Sequence, residues 1–320
     1  MPTRRSWVWL ALVVWVGVVA AAIPAPAQTS LLDPQALYER AAPAVSLVRA
    51  VTDGRTAIGT AFTIDRDGLL LTAAHVARRA EGLTVEYPAG RALSATVVGY
   101  DARRDLALLR VSTPTPLPSL EVSGDGLRPG EPVVVIGTPR GRPGVMTVGE
   151  VVAIEASLPG LARDILIRIT AEVAPGTSGG PVLNARGQVV GLVIARAGDG
   201  TGLAVSAATI LASLPALRQG ARIERPWIGI AGRSLLPDPR DRGAGALRGA
   251  VIQEVVPDSP AAAADLRPDD VIIALNGQRV ESWEDLLRLV ADREPGQQIR
   301  LTLIRAGLRL EVSVTLGVRP

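Results

Sequence analysis

The stretch Gly176-Thr177-Ser178-Gly179-Gly180-Pro181-Val182-Leu183-Asn184-Ala185-Arg186-Gly187-Gln188-Val189-Val190-Gly191-Leu192-Val193-Ile194 decides how this chain folds. Two apolar runs, Val182-Leu183 and Val189–Ile194, flank Asn184-Ala185-Arg186-Gly187, a set of residues that favours a tight reversal between paired strands. The glycines ahead of the hairpin surround one hydroxyl, Ser178. Outward from this point, short strand and turn alternate from about Leu37 to Val205. Thr60–Ile64 runs into Arg66-Asp67-Gly68 and resumes at Leu69-Leu70-Leu71, and Val133–Ile136 stops at Gly137-Thr138-Pro139. Such spacing predicts an all-β barrel or sandwich of about 170 residues.

Ser206 to Leu217 reads as a helix, with Ile210, Leu211 and Leu214 at helical spacing, and Gln219-Gly220 ends it. Arg222–Pro226 is a connector, and a second small unit begins at Trp227. Within it, Ser282 is placed to cap a helix through Val290 that turns Leu286, Leu287 and Val290 inward. Pro295-Gly296 stops that helix, and two strands, Ile299–Arg305 and Leu308–Leu316, close the unit around Ala306-Gly307.

Composition narrows the chemistry. The chain has 320 residues, 34 basic and 31 acidic, and every basic residue is Arg. The formal charge of +3 falls by two when Arg4 and Arg5 leave with a leader, and the remaining Arg residues are interspersed with acids. No concentrated basic stripe exists, so no nucleic-acid partner is expected. There is no Cys, which excludes disulfides, thiolate metal sites and a thiol nucleophile. A single His rules out a multi-His zinc site, and no metal or cofactor is implied. Catalysis must rest on Ser, Asp, Glu and one imidazole.

At the N-terminus, Arg4 and Arg5 precede an apolar run from Trp7 to Ile23, followed by Ala25-Pro26-Ala27. This is the layout of a secretory signal peptide cleaved after Ala27, or of a retained membrane anchor. Both place the remainder outside the cytoplasmic membrane.

Three segments carry the chemistry. Thr72-Ala73-Ala74-His75-Val76 puts the imidazole at the end of an apolar strand. Asp105 opens the strand Leu106-Ala107-Leu108-Leu109, and Ser178 lies in the Gly-rich loop. The chain order His75, Asp105, Ser178 is that of chymotrypsin-like proteases rather than of subtilisins or α/β-hydrolases, and an esterase would need its Gly-x-Ser-x-Gly elbow in an α/β context, which is lacking around Gly176–Gly180. A serine hydroxyl needs a base to take its proton, and neutral imidazole suits that task near pH 7. Asp105 would set the imidazole tautomer. The glycines allow the N–H groups of Gly176 and Ser178 to converge on one oxyanion.

On these motifs the chain resembles the HtrA (Deg) family of envelope serine proteases over nearly everything after the leader. The family's His motif is matched by Thr72–Val76, its Asp motif by Asp105–Val111, its Ser motif by Gly176–Pro181, and its Gly-x-Pro turn by Gly137-Thr138-Pro139. The resemblance implies a chymotrypsin-like double β-barrel followed by a PDZ domain. It implies Ser178 as nucleophile, His75 as general base and then acid, Asp105 as orienting acid, and the Gly176 and Ser178 amides as oxyanion donors. Trp227-Ile228-Gly229-Ile230 resembles the PDZ carboxylate-binding loop, Val255–Ala262 the helix entry and Asp270–Gly277 the strand-and-turn signature. Expected boundaries are 1–27 for the leader, 28–218 for the protease domain, 219–225 for a linker and 226–320 for the PDZ domain.

Departures are local. Thr177 and Thr170 stand where the family often has Asn and Asp, and Asp269 where Gly is usual. The segment Thr52–Ala57 is short where cage-forming relatives carry a long loop, so the resemblance implies a homotrimer instead. Partners implied are unfolded proteins as substrates and peptide C-termini at the PDZ domain, in the periplasm or cell envelope. Val173, Val193, Ile194 and Ala195 are expected to line the pocket before the scissile bond. With no Asp at its base, cleavage after small or medium aliphatic residues follows. Peptide at Trp227–Ile230 is expected to shift the loops Gly137–Gly141 and Ala174–Thr177. The rival reading is a PDZ-containing sensor or chaperone that hydrolyses nothing.

Overall fold

The structure, a computed structural model, describes residues 33–155, 166–235 and 247–318. The leader expected at residues 1–27 lies outside them. Among the described residues, no helix is long and apolar enough to cross a membrane.

Helix α1 (Pro34–Ala41) is capped by Asp33, whose carboxylate accepts from the Ala36 amide, and it buries Leu37. Six strands follow: β1 (Val45–Thr52), β2 (Arg55–Thr63), β3 (Leu69–Ala73), β4 (Gly82–Glu86), β5 (Ala92–Asp101) and β6 (Leu106–Val111). They pair in the order β5-β4-β1-β2-β3-β6, and β5 pairs with β6 to close the ring. The β1–β2 hairpin turns through Asp53-Gly54 alone, both with positive φ, the backbone of a type I′ turn. Between β3 and β4 sits α2 (Ala74–Ala77), a single helical turn.

The second barrel uses β7 (Pro132–Gly137), β8 (Val145–Glu155), β9 (Leu166–Ile169), β10 (Pro181–Leu183), β11 (Val189–Arg196) and β12 (Gly202–Ser206), closed in the order β10-β11-β12-β9-β8-β7. Side chains alternate across its wall with a period of two. Val133 and Val135 fill the barrel interior with Val151, Ile169 and Val182, whereas Val134 and Ile136 join the core shared with the first barrel. Fully burying each such side chain is worth about 1.5–3 kcal/mol. Helix α3 (Ala207–Arg218) is capped by Ser206 and buries Ile210, Ser213 and Leu217, while Leu211 faces out.

The connector is not slack. Strand β13 (Arg222–Ile223) pairs in parallel with Tyr100 and Asp101 at the end of β5. Beyond it come β14 (Pro226–Trp227), β15 (Ile230–Leu235), β16 (Gly249–Val255), α4 (Pro260–Ala263), β17 (Val271–Leu275), β18 (Gln278–Arg279), α5 (Trp283–Ala291), β19 (Gln298–Arg305), β20 (Leu308–Thr315) and β21 (Gly317–Val318). The sheet order β15-β16-β17-β19-β20 leaves β15 at an edge. Ser282 caps α5 by accepting from the Asp285 amide. Leu286, Leu289 and Val290 enter the core, and Leu287, expected inward, stays half-buried and faces a groove. Asp269, standing where glycine is usual, takes φ +68°, a region that a short polar side chain tolerates better than most.

Candidate active site

Strand β3 is buried along its whole length and delivers His75 into the first turn of α2. That helix begins at Ala73, which has no side chain to cap it. Asp105, thirty residues on, fills the role. It sits in the turn between β5 and β6 with φ +57°; its carbonyl accepts from the Ala74 amide at 3.1 Å, and its Oδ1 accepts from the His75 amide at 2.8 Å. The second carboxylate oxygen, Oδ2, lies 2.7 Å from His75 Nδ1. The turn itself is shaped by Asp101, a buried carboxylate that accepts from the Arg103 and Arg104 amides and from the Arg104 guanidinium.

This geometry sets the imidazole's proton affinity. Burial pulls the His75 pKa down, but the hydrogen bond to Asp105 and its negative charge outweigh burial and the nearby Arg78, leaving the pKa above its usual 6.5. The imidazole side chain is half exposed and the carboxylate only 15 % exposed, so the solvent-facing partner of the pair is the ring. Neutral His75 is the form that can accept a proton, so any activity depending on it should rise with pH through a midpoint above 6.5. The stability term has the opposite sign. A raised folded-state pKa contributes stability below the unfolded value and loses it as pH climbs through the folded one. With one His in the chain, the imidazole resonances in a proton NMR titration report this group alone. The expected midpoint is above 6.5; a midpoint at or below that value would mean that the Asp105 bond is not kept in solution.

Ser178 arrives from the second barrel. Its loop is tied down by Thr177 N–H to Ala174 O and by Gly180 N–H to Thr177 O, both at 2.9 Å, and by Gly179 N–H to Val193 O at 2.7 Å. The Thr60 amide on β2 donates to Ser178 O at 2.8 Å, so the serine backbone rests on the first barrel. Gly179 has no room for anything larger: a methyl group there would overlap Thr60 O and Thr72 Oγ1, and its φ is +89°. A methyl group on Gly59 would meet both Val76, the neighbour of His75, and Ser178 O. Serine loop and histidine turn are therefore packed against the same strand. Among the described residues Ser178 Oγ makes no hydrogen bond, to His75 Nε2 or to anything else. Catalytic hydrogen bonds are often open before substrate arrives.

Gly176 adopts φ +98°, and the preceding carbonyl, Pro175 O, is turned away to accept from the Arg140 amide at 2.8 Å. The Gly176 and Ser178 amides consequently have no acceptor among the described residues. Two unsatisfied N–H groups beside a hydroxyl are what a developing oxyanion requires. Thr177 is buried, with its hydroxyl 3.4 Å from the Ala174 amide, and Thr170 Oγ1 accepts from the Glu150 amide at 2.9 Å.

The expected pocket residues divide. Val193 is 0 % exposed and its side chain lies in the core of the second barrel, so it forms no open wall. Its main chain instead holds the serine loop on both sides, through Gly179 N–H to Val193 O and Val193 N–H to Gly180 O. Val173 belongs to that same core, Ile194 is buried between the barrels, and Ala195 is exposed beyond a bulge in β11. Arg196 is exposed and donates to Gly200 O.

In the C-terminal unit, Trp227, Ile228, Gly229 and Ile230 border a groove of about 330 Å³ between β15 and α5, closed on the far side by Trp283, Leu286, Leu287 and Val290. The open edge of β15 offers a row of backbone groups to an added strand, and the groove offers an apolar floor.

A model of the trypsin-like peptidase domain matches residues 59–192, and a model of the PDZ domain matches residues 226–316. The chain is 33 % identical over 279 residues to a protein of Halomonas elongata named "Probable periplasmic serine endoprotease DegP-like", covering 84 % of this chain and 58 % of that protein. A protein of the same name from Pseudomonas fulva is 33 % identical over 270 residues, covering 82 % of this chain and 56 % of the other. The chain thus spans somewhat more than half the length of these relatives. Among solved structures, it is similar to "HtrA-type protease AlgW with tripeptide", with TM-score 0.58 and 30 % identity over 89 % of this chain and 96 % of that one. It is also similar to the serine endoprotease from Yersinia pestis, with TM-score 0.58 and 27 % identity over 89 % of this chain and 98 % of that one.

Proposed function

This chain belongs to the HtrA (Deg) family of trypsin-like proteases with a PDZ domain, and from that premise we propose that it is a periplasmic serine endopeptidase acting on unfolded or misplaced envelope proteins. The observation that carries the reading is the 2.7 Å bond from His75 Nδ1 to Asp105, made in a barrel whose neighbour presents Ser178 beside two unengaged amides.

In this mechanism Ser178 Oγ attacks the scissile carbonyl carbon as His75 Nε2 takes its proton. Asp105 keeps the proton of the neutral ring on Nδ1 and stabilises the imidazolium that forms. The carbonyl oxygen, now negative, receives hydrogen bonds from the Gly176 and Ser178 amides. His75 then protonates the leaving amine, and water attacks the acyl-enzyme by the reverse sequence. Aliphatic residues before the scissile bond are favoured, since the reading places no acidic group at the pocket base.

The PDZ groove takes the C-terminus of a partner peptide as an added strand on β15. Its occupancy acts back on the loops 137–141 and 174–177. Assembly as a homotrimer and anchorage through the N-terminus belong to the same proposal.

Labelling with a fluorophosphonate, with and without peptides ending in an aliphatic residue, tests the enzyme reading. Stoichiometric modification at Ser178, mapped by mass spectrometry and accompanied by casein cleavage, is the expected result. A Ser178 silent under every condition, with peptide still bound at the groove, would favour a sensor or chaperone.

A further inference from the structure

The loop that supplies the serine is held by two hydroxyls, one from each barrel, that no catalytic step uses. Thr60 on β2 and Thr138 just beyond β7 are both completely buried. Thr60 Oγ1 donates to Gly176 O at 2.7 Å and accepts from the Thr138 amide at 3.0 Å. Thr138 Oγ1 lies 2.9 Å from Gly59 O, 3.0 Å from Thr60 Oγ1 and 3.3 Å from Gly176 O. With Thr60 giving its hydroxyl proton to Gly176 O and Thr138 giving its own to Gly59 O, both carbonyls are satisfied, and the 3.0 Å approach of the two hydroxyl oxygens carries no proton of its own. The Thr60 main chain adds two further bonds, its amide to Ser178 O at 2.8 Å and its carbonyl from Thr72 Oγ1 at 2.7 Å.

The consequence falls on one amide. A glycine at φ +98° has little steric resistance to rotation of its flanking peptides, so something else must fix which way its N–H points. Pro175 O is held by the Arg140 amide, and Gly176 O is held by Thr60 Oγ1. Pro175 O lies in the same peptide plane as the Gly176 N–H, and Gly176 O lies in the next plane with the Thr177 N–H, which donates to Ala174 O. With the planes on both sides of the Gly176 Cα pinned, the Gly176 amide has a single direction. Burial strengthens the restraint, because a hydrogen bond shielded from water is stronger and its loss leaves an unsatisfied carbonyl.

We propose that Thr60 and Thr138 are positioning residues for the oxyanion hole: their buried hydroxyl pair fixes the Gly176 carbonyl and thereby aims the Gly176 amide at the reacting oxygen. The kinetic consequence rests on the endopeptidase reading, whereas the geometric one can be examined without it.

Thr60→Val keeps the β-branched shape and removes only the hydroxyl; Thr60→Ser restores it. In the full chain, Thr60→Val is expected to lower kcat on an aliphatic peptide substrate by about 10- to 100-fold. Its KM should stay within about threefold, because only an interaction made in the transition state is lost. Thr60→Ser should return kcat to within about threefold of the parent, and Thr138→Val should show a smaller loss of the same kind. Affinity for a peptide boronic acid, whose tetrahedral adduct places an oxygen in the hole, should fall in parallel with kcat. A hydroxyl that served stability alone would lower the melting temperature without this split or this parallel. A crystal structure of Thr60→Val should show the Pro175–Gly176 peptide rotated or in two orientations. An unmoved peptide together with kcat within about threefold of the parent would overturn the proposal. If the parent protein hydrolyses nothing, the endopeptidase reading falls, and that crystal structure decides the positioning role alone: a rotated peptide supports it and an unmoved one overturns it.

Discussion

Ser178→Ala is expected to remove casein hydrolysis by a factor of about 10⁴ to 10⁶ while leaving the protein as stable as the parent. The two halves of this result have separate causes. Without Oγ there is no nucleophile, and what remains is the modest acceleration from two amides and substrate binding. Stability is spared because Ser178 Oγ makes no hydrogen bond among the described residues, and its loop is held by main-chain bonds that alanine keeps. A partly exposed hydroxyl without a partner contributes within about 0.5 kcal/mol. Casein cleavage measured beside a urea unfolding curve checks both halves. Retained cleavage would remove Ser178 from the mechanism, and a large drop in stability would show a structural role that the hydrogen bonding gives no reason to expect.

Asp105 should behave differently because it serves two purposes. Asp105→Asn is expected to lower kcat by about 10⁴-fold, since an amide cannot hold the Nδ1 proton and stabilise an imidazolium as a carboxylate does. The acidic limb of the pH profile moves as well. With the raising influence of Asp105 gone, burial and Arg78 remain, and both lower the His75 pKa. The midpoint should therefore pass from above 6.5 to below it, on a much reduced plateau. Asp105→Ala should also cost about 1–3 kcal/mol, because the His75 amide at the head of α2 loses its only side-chain acceptor and Ala73 offers no replacement. Steady-state kinetics across pH, set beside denaturant unfolding, separates the two contributions. An alanine variant as stable as the asparagine one would mean that water caps α2 just as well.

What the sequence made legible follows from where the information was local. The hairpin around Asn184–Gly187 and the helix capped by Ser282 were readable because turn residues and caps act within a few positions of themselves. The order His75, Asp105, Ser178 was readable because it is an order. Helix α2 was not, since four residues carry no period and its cap comes from thirty residues away. Strand β13 looked like a polar connector because two residues cannot display alternation, and its pairing is with a distant edge. Which way the Val193 side chain faces was unreadable for a related reason. Residues 189–194 of β11 are buried on both faces, so the apolar run gave no sign of which side faced the barrel interior. Thr60 and Thr138 read as an ordinary strand residue and an ordinary turn residue. Only contact between two barrels, seventy-eight positions apart in the chain, reveals what their hydroxyls hold.

The aromatic residues are few, and their placement around the PDZ groove has an optical consequence. Of the five Trp, three precede Ala27, and the other two, Trp227 and Trp283, both line the groove beside β15. All three Tyr (Tyr38, Tyr87 and Tyr100) belong to the first barrel and the helix that precedes it. Indole emission from residues 28–320 thus originates entirely at the groove beside β15, and phenol emission entirely at the N-terminal end of the chain. The protein carries its own pair of spectrally distinct reporters, so filling the groove and disturbing the barrel can be watched as separate signals without a single dye.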